Sequence, residues 1–169
     1  YLSDMVIAQA YALYNHRIIR DRIFAILKKL CKAKCIESIF TTHNYISVCE
    51  EFPMLRKGAV AAEAGGRFCL PFNMRDGIAI CVGKGNAEWN CSAPHGAGRI
   101  MSRSQAFKSI SMNDYRASMQ GIYSECLSED TKDESPMVYK PKDEIIGNIH
   151  DTVNIVNVIK PIYNFKAAE

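Results

Sequence analysis

Arg67-Phe68-Cys69-Leu70-Pro71 and Ile78-Ala79-Ile80-Cys81-Val82 are two short strand-like runs, separated by Phe72-Asn73-Met74-Arg75-Asp76-Gly77. This pattern predicts a hairpin, or a loop kept for function. Upstream, residues 54–63 predict another strand, closed by the Gly65-Gly66 turn, and residues 36–49 are rich in Ile, Val, Thr, Phe and Tyr and favour a strand ended by Pro53. Residues 2–30 carry Leu2, Val6, Leu13, Ile19, Ile23, Ile26, Leu27 and Leu30 at mostly helical spacing without Gly or Pro, which predicts one long amphipathic helix.

Downstream, Gly83-Lys84-Gly85-Asn86 opens an irregular stretch that runs to Gly98, and a helix is expected from Ser102 or Ser104. Ser111-Met112-Asn113-Asp114 has the form of a capping box with Asp in the place of Glu. Residues 128–135 form a polar run expected to be a loop or short linker. Residues 141–149 predict a short helix with Pro141 near its first turn, and residues 152–165 return to β-type composition. Helices and strands mixed without regular βαβ alternation predict one α+β domain, or part of one.

With 48% hydrophobic and 23% charged residues, the composition is that of a globular protein, which excludes disordered and collagen-like classes. No apolar run approaches the roughly 20 residues that span a bilayer. The opening Tyr1-Leu2-Ser3-Asp4-Met5 lacks the features of a signal peptide and has no initiator Met, so the numbered chain is expected to begin inside a longer one. Seven cysteines cannot all pair within one chain, and their spacing is unlike a secreted disulfide framework, which fits a reducing cytoplasm. Cys31 and Cys35 are too few for a zinc site, and buried, reduced thiols are expected there. A net charge of +3 is too small to argue for nucleic acid. Arg17, Arg20, Arg22, Lys28 and Lys29 could follow an RNA backbone, although a charged helix face is ordinarily just solvated.

The chemistry concentrates in Asn90-Cys91-Ser92-Ala93-Pro94-His95-Gly96-Ala97-Gly98-Arg99-Ile100-Met101-Ser102-Arg103. Two glycines flank one alanine directly after a histidine, so backbone N–H groups can approach a phosphate unobstructed. Arg99 adds a planar fork of donors, and the helix expected just beyond adds partial positive charge. A neutral imidazole beside such a cradle is a candidate nucleophile toward an α-phosphorus, although a lone loop histidine is more often structural.

The string His95-Gly96-Ala97-Gly98-Arg99 followed by Met101-Ser102-Arg103 resembles the guanylylation motif of RtcB-type RNA ligases, in which the histidine accepts GMP from GTP. Further segments resemble that family in the same order. They are Asp4-Met5, Ala8-Gln9, Tyr11-Ala12, His43-Asn44-Tyr45, Arg56-Lys57-Gly58-Ala59, Gly83-Lys84-Gly85-Asn86, Pro136-Met137, Tyr139-Lys140 and the near-terminal Lys166.

The resemblance implies the C-terminal portion of one RtcB-like catalytic domain over residues 1–169, with the N-terminal metal-binding portion absent. It implies a GTP- and Mn2+-dependent ligase joining RNA 3′-phosphate or 2′,3′-cyclic phosphate ends to 5′-hydroxyl ends, in RNA repair or tRNA splicing. His95 would be the catalytic nucleophile and a nucleotide contact, and His43 both a manganese ligand and a nucleotide contact, with Asn44 also beside the nucleotide. Gly96, Ala97 and Gly98 would bind the nucleotide, with Arg56, Lys57 and Arg99 on phosphate or RNA. Lys166 would reach guanine, with Tyr139 near the same pocket.

Pro71-Phe72-Asn73-Met74 occupies the place of a nucleotide-wrapping loop that usually reads Pro-Gly-Ser-Met, and departs from it at Phe72 and Asn73. Ile78 stands where the family often has a nucleotide-contacting serine, so that contact is not carried over. His43 is the one metal ligand of the family's Asp, Cys and three-His set recognisable in this sequence. The competing expectation is a non-catalytic guanine-nucleotide or RNA-binding fragment lacking most metal ligands.

Overall fold

The computed structural model describes residues 1–48 and 52–166. The chain divides into two compact units, one of residues 1–40 and 45–55, the other of residues 41–44 and 56–169.

The first unit is dominated by α1 (Leu2–Cys31), which ends where Lys32 turns left-handed at φ 53°. Asp4 in its first turn and Lys28 and Lys29 in its last complement the helix dipole. The predicted helix is present, but no residue of it is buried, and Val6, Ile19, Ile23 and Leu30 are all exposed. Cys31 and Cys35 are exposed as well, against the expectation of buried thiols. The strand expected over residues 36–49 shrinks to β1 (Asn44–Ser47), and its last position, Cys49, lies outside the described residues. β1 pairs with β2 (Met54–Lys57).

The strand expected over residues 54–63 is two strands, β2 and β3 (Ala59–Ala61), because Gly58 between them sits at φ +66°. The predicted hairpin is the centre of the second unit. β4 (Arg67–Asn73) and β5 (Gly77–Gly83) pair antiparallel, and Phe72 and Asn73, expected in the connecting loop, belong to β4. Asn73 Oδ1 accepts the N–H groups of Arg75 and Asp76 at 3.0 and 2.8 Å, closing the turn. Gly77, at φ +81°, lets the chain pass close to Ile159.

The stretch expected to be irregular up to Gly98 holds a short 3₁₀ turn (Ala87–Trp89) and β6 (Ser92–Pro94), which pairs antiparallel with β3. α2 (Arg103–Ser109) starts where predicted, with Ser102 Oγ accepting the Gln105 N–H at 3.2 Å. α3 (Met112–Ser118) is capped by Ser111, which accepts the Asp114 N–H at 3.1 Å. After β7 (Tyr123–Ser124), the polar run expected to be a linker is a 3₁₀ helix (Glu129–Glu134) with Thr131, Lys132 and Asp133 buried. α4 (Lys142–Asn148) follows Pro141, then β8 (Val153–Ile159) joins β5 antiparallel, and β9 (Tyr163–Asn164) pairs parallel with β7.

Two apolar clusters hold this unit. One gathers Val60, Phe68, Leu70, Phe72 and Val153 around the three-stranded sheet, and the other gathers Met74, Ala106, Ile110, Tyr115 and Val138. Phe72 and Met74 enter different clusters, so the end of β4 is fixed from both sides. The α+β class read from the sequence is the observed one.

Candidate functional site

Gly58 sets the first distances. Its carbonyl oxygen lies 2.6 Å from His95 Nδ1. A carbonyl only accepts, so Nδ1 is the protonated nitrogen in this contact, and in the neutral imidazole the lone pair is then on Nε2. The Gly58 N–H donates to Asn44 Oδ1 at 3.0 Å, so the same glycine is held by the residue after His43. The His43 ring stacks on His95, with centroids 5.0 Å apart and planes within 9°. Both imidazoles are exposed.

The glycines beyond His95 let that segment lie against the end of β4. The Ala97 N–H donates to the Pro71 carbonyl at 3.1 Å, and a Cβ on Gly96 would sit 3.1 Å from the same oxygen, a tight contact. Gly98 adopts φ +68°. A cavity of about 780 Å³ opens here, within the 300–1,000 Å³ of ordinary small-ligand sites. Its walls bring together Pro71, Phe72, Asn73, Met74, His95, Gly96, Ala97, Gly98, Arg99, Tyr139 and Lys166. Residues 95 positions apart in sequence thus meet at one opening.

Phe72 lines this cavity although its side chain is buried in the core, so the bulk that replaces glycine is turned inward. The Asn73 amide is engaged at the turn, with Oδ1 accepting two backbone N–H groups and Nδ2 donating to Asp76 Oδ2 at 2.8 Å. Arg99 Nη2 donates to the Asp133 carbonyl at 2.8 Å, and its guanidinium carbon lies 5.5 Å from the Tyr139 ring centre. Lys166 Nζ donates to Glu134 Oε2 at 2.9 Å. Tyr139 Oη donates to the same oxygen at 3.1 Å.

Burial alone would raise the Glu134 pKa, but the Lys166 and Tyr139 hydrogen bonds and the nearby Arg103 hold it below the usual carboxylate value. Burial, and then the Glu134 charge, push the Tyr139 phenol up.

Four expected contact residues, His43, Asn44, Arg56 and Lys57, are not in the lining of the cavity. Arg56 is only 3% exposed, and its guanidinium donates to Ser92 Oγ at 3.0 Å and the Asn90 carbonyl at 3.3 Å, bracing the segment that leads into His95. Lys57 is exposed, and neither it nor Asn44 lines the cavity. Conversely, Arg103, Glu134, Asn164 and Ile78 line it without having been assigned there. Arg103 already stands in the Met-Ser-Arg string, whereas Glu134 sits in a polar run that offers no local sign of a site. Among the described residues, no three His, Cys, Asp or Glu side chains gather as a metal site.

A family model described as "tRNA-splicing ligase RtcB" matches residues 1–167. The chain belongs to the RtcB family. It is 31% identical over 174 residues to the RNA-splicing ligase RtcB of Escherichia coli (strain K12), which covers 96% of this chain and 42% of that protein. The RNA-splicing ligase RtcB1 of Escherichia coli (strain ATCC 25922) matches with the same identity and coverage. The chain therefore spans 42% of the length of the RtcB relatives it matches. The resemblance first read from the His95 motif thus extends over nearly all of its length.

Proposed function

We propose that this chain is the C-terminal, nucleotide-handling part of a GTP- and manganese-dependent RNA ligase that works through a histidine-GMP intermediate. The observation that carries the reading is the 2.6 Å contact between His95 Nδ1 and the Gly58 carbonyl, which leaves Nε2 as a nucleophile beside the 780 Å³ cavity. His95 Nε2 attacks the α-phosphorus of GTP, a P–N bond forms, the bond to the bridging oxygen breaks, and pyrophosphate leaves. An oxygen of the RNA 3′-phosphate then attacks that phosphorus and releases His95. The 5′-hydroxyl of the second RNA end attacks the activated 3′-phosphate, loses its proton and expels GMP. A 2′,3′-cyclic phosphate is opened by water beforehand.

The chain's residues divide this work by position. The Gly96-Ala97-Gly98 backbone and Arg99 face the phosphates, while Tyr139 and Lys166 face the base. Arg56 and Lys57 belong to the RNA-facing side, with Arg56 acting through the Ser92 segment it braces. Manganese would neutralise triphosphate charge when bound. His43 would supply one imidazole ligand, and since no further donors gather into a metal site among the described residues, the reading takes the other ligands from the rest of the full-length protein. The number and spacing of the cysteines in the sequence support a reducing cytoplasm as the setting.

Incubating the full-length protein with manganese and α-labelled GTP tests the reading. Denaturation-resistant label that is lost in His95→Ala supports it. GTP binding with no covalent label would instead favour a guanine-nucleotide-binding module without ligase activity.

A further inference from the structure

Glu134 joins the two ends of the base-facing wall. It closes the 3₁₀ helix Glu129–Glu134, at whose start the Ser128 N–H donates to Thr131 Oγ1 at 3.1 Å. The following Ser135 is fully buried. The carboxylate is therefore delivered from a rigid segment, with Oε2 accepting both Lys166 Nζ at 2.9 Å and Tyr139 Oη at 3.1 Å. Arg103 Nη2 lies 4.0 Å from Oε1.

Lys166 is the mobile partner in this arrangement. Its ammonium rides on a flexible four-carbon stem with substantial rotamer freedom, and its side chain is 39% exposed. Asn164, two residues earlier, donates from Nδ2 to the Met74 carbonyl at 2.5 Å, which fixes the backbone but not the lysine head. Glu134 fixes the head.

We propose that Glu134 is a positioning residue that sets purine selectivity by holding the Lys166 ammonium at the base edge; this rests on reading the cavity as the GTP site. An ammonium has three donors and no acceptor. With one N–H committed to Glu134, the other two suit a base edge that presents two acceptors. Guanine offers O6 and N7 as acceptors, whereas adenine offers N7 beside an N6 amino donor. A lysine anchored at one point meets adenine's amino group with a donor of its own, and a lysine free to swing avoids that clash. Glu134 thus converts a general cation into a discriminating one.

The test measures equilibrium binding of GTP and of ATP to the full-length protein and to Glu134→Gln, Lys166→Met and the double variant. Glu134→Gln is expected to weaken GTP binding about 3- to 10-fold, the range of one hydrogen bond's net contribution, with ATP affinity nearly unchanged. The double variant should lose little beyond Lys166→Met, because both substitutions remove the same arrangement. Glu134→Asp keeps the charge but withdraws it by one methylene. It should show a smaller GTP-selective loss, and it serves if Glu134→Gln does not fold.

Equal losses for both nucleotides, no loss, or full additivity with Lys166→Met would overturn the positioning role. Wild-type protein that binds no GTP would instead overturn the nucleotide site on which that role rests.

Discussion

Replacing Gly58 by alanine separates two consequences of one backbone conformation. Gly58 lies at φ +66°, where an L-residue is strained by roughly 1–2 kcal/mol relative to glycine. An added Cβ would meet His95 Cε1 and Nδ1 at 3.5 Å, an ordinary contact, so steric overlap adds little. At roughly 2–4 °C per kcal/mol for a chain of this size, thermal denaturation should show a fall of about 2–8 °C.

The second consequence is chemical. If the peptide relaxes to relieve φ, the carbonyl leaves His95 Nδ1 and the tautomer is no longer held. One neutral hydrogen bond of about 0.5–1.5 kcal/mol corresponds to a labelling rate roughly 2- to 12-fold slower in an α-labelled GTP assay. Gly65→Ala is the control, since Gly65 sits at φ +78° with open space for a Cβ and its N–H donates to the Gly83 carbonyl. It should lose similar stability and keep its labelling rate. If both variants slow labelling equally, or if Gly58→Ala leaves the rate unchanged, the role of the Gly58 carbonyl in holding His95 is refuted.

Other positions give independent checks. Gly77→Ala would place a Cβ 2.0 Å from the Ile159 carbonyl oxygen, a backbone clash at positive φ. It should destabilise the β4–β5–β8 sheet by about 3 kcal/mol or more, measured by urea denaturation. Burial pushes the Cys81 thiol up to about 11, whereas Cys31 and Cys35 are exposed, so a maleimide should modify those two in native protein and reach Cys81 only on unfolding.

The Arg75 hydrogen bond holds the Asp76 carboxyl below its usual value. A lowered folded-state pKa stabilises fully above the ordinary carboxylate pKa and is lost as pH falls through the lowered one. Asp76→Asn should therefore flatten the acid limb of a stability-versus-pH curve and leave its slope near neutrality unchanged.

Local signals in the sequence placed α1, α2, α3 and the β4–β5 hairpin, because helical spacing, Ser caps and a Gly-ended turn act within a few residues. The break at Gly58 was missed because residues 54–63 have uniform strand composition, and only the left-handed φ of one glycine divides them. Residues 128–135 read as a linker because polarity predicts exposure. In the structure, Asp133 and Glu134 are drawn inward by the cations they bind, Arg99, Arg103 and Lys166. No window of sequence contains those partners together.

Of the residues read from motifs, His95, Gly96, Ala97, Gly98 and Lys166 meet at the cavity, whereas His43, Asn44, Arg56 and Lys57 are not in its lining. The site was opaque at Glu134, where function would depend on partners 5 to 32 residues away. Arg56 shows the converse. A basic pair reads as a phosphate contact, yet this guanidinium is spent on Ser92 Oγ and the Asn90 carbonyl.

In the proposed reaction His95, with its proton on Nδ1, takes up GMP and the histidine stacked 5.0 Å away does not. Peptide mapping by mass spectrometry of full-length protein treated with manganese and GTP tests it most directly. A guanylyl adduct, labile to acid as a phosphoramidate and confined to the peptide containing His95, is expected. An adduct on the peptide containing His43, or on a lysine, would contradict it.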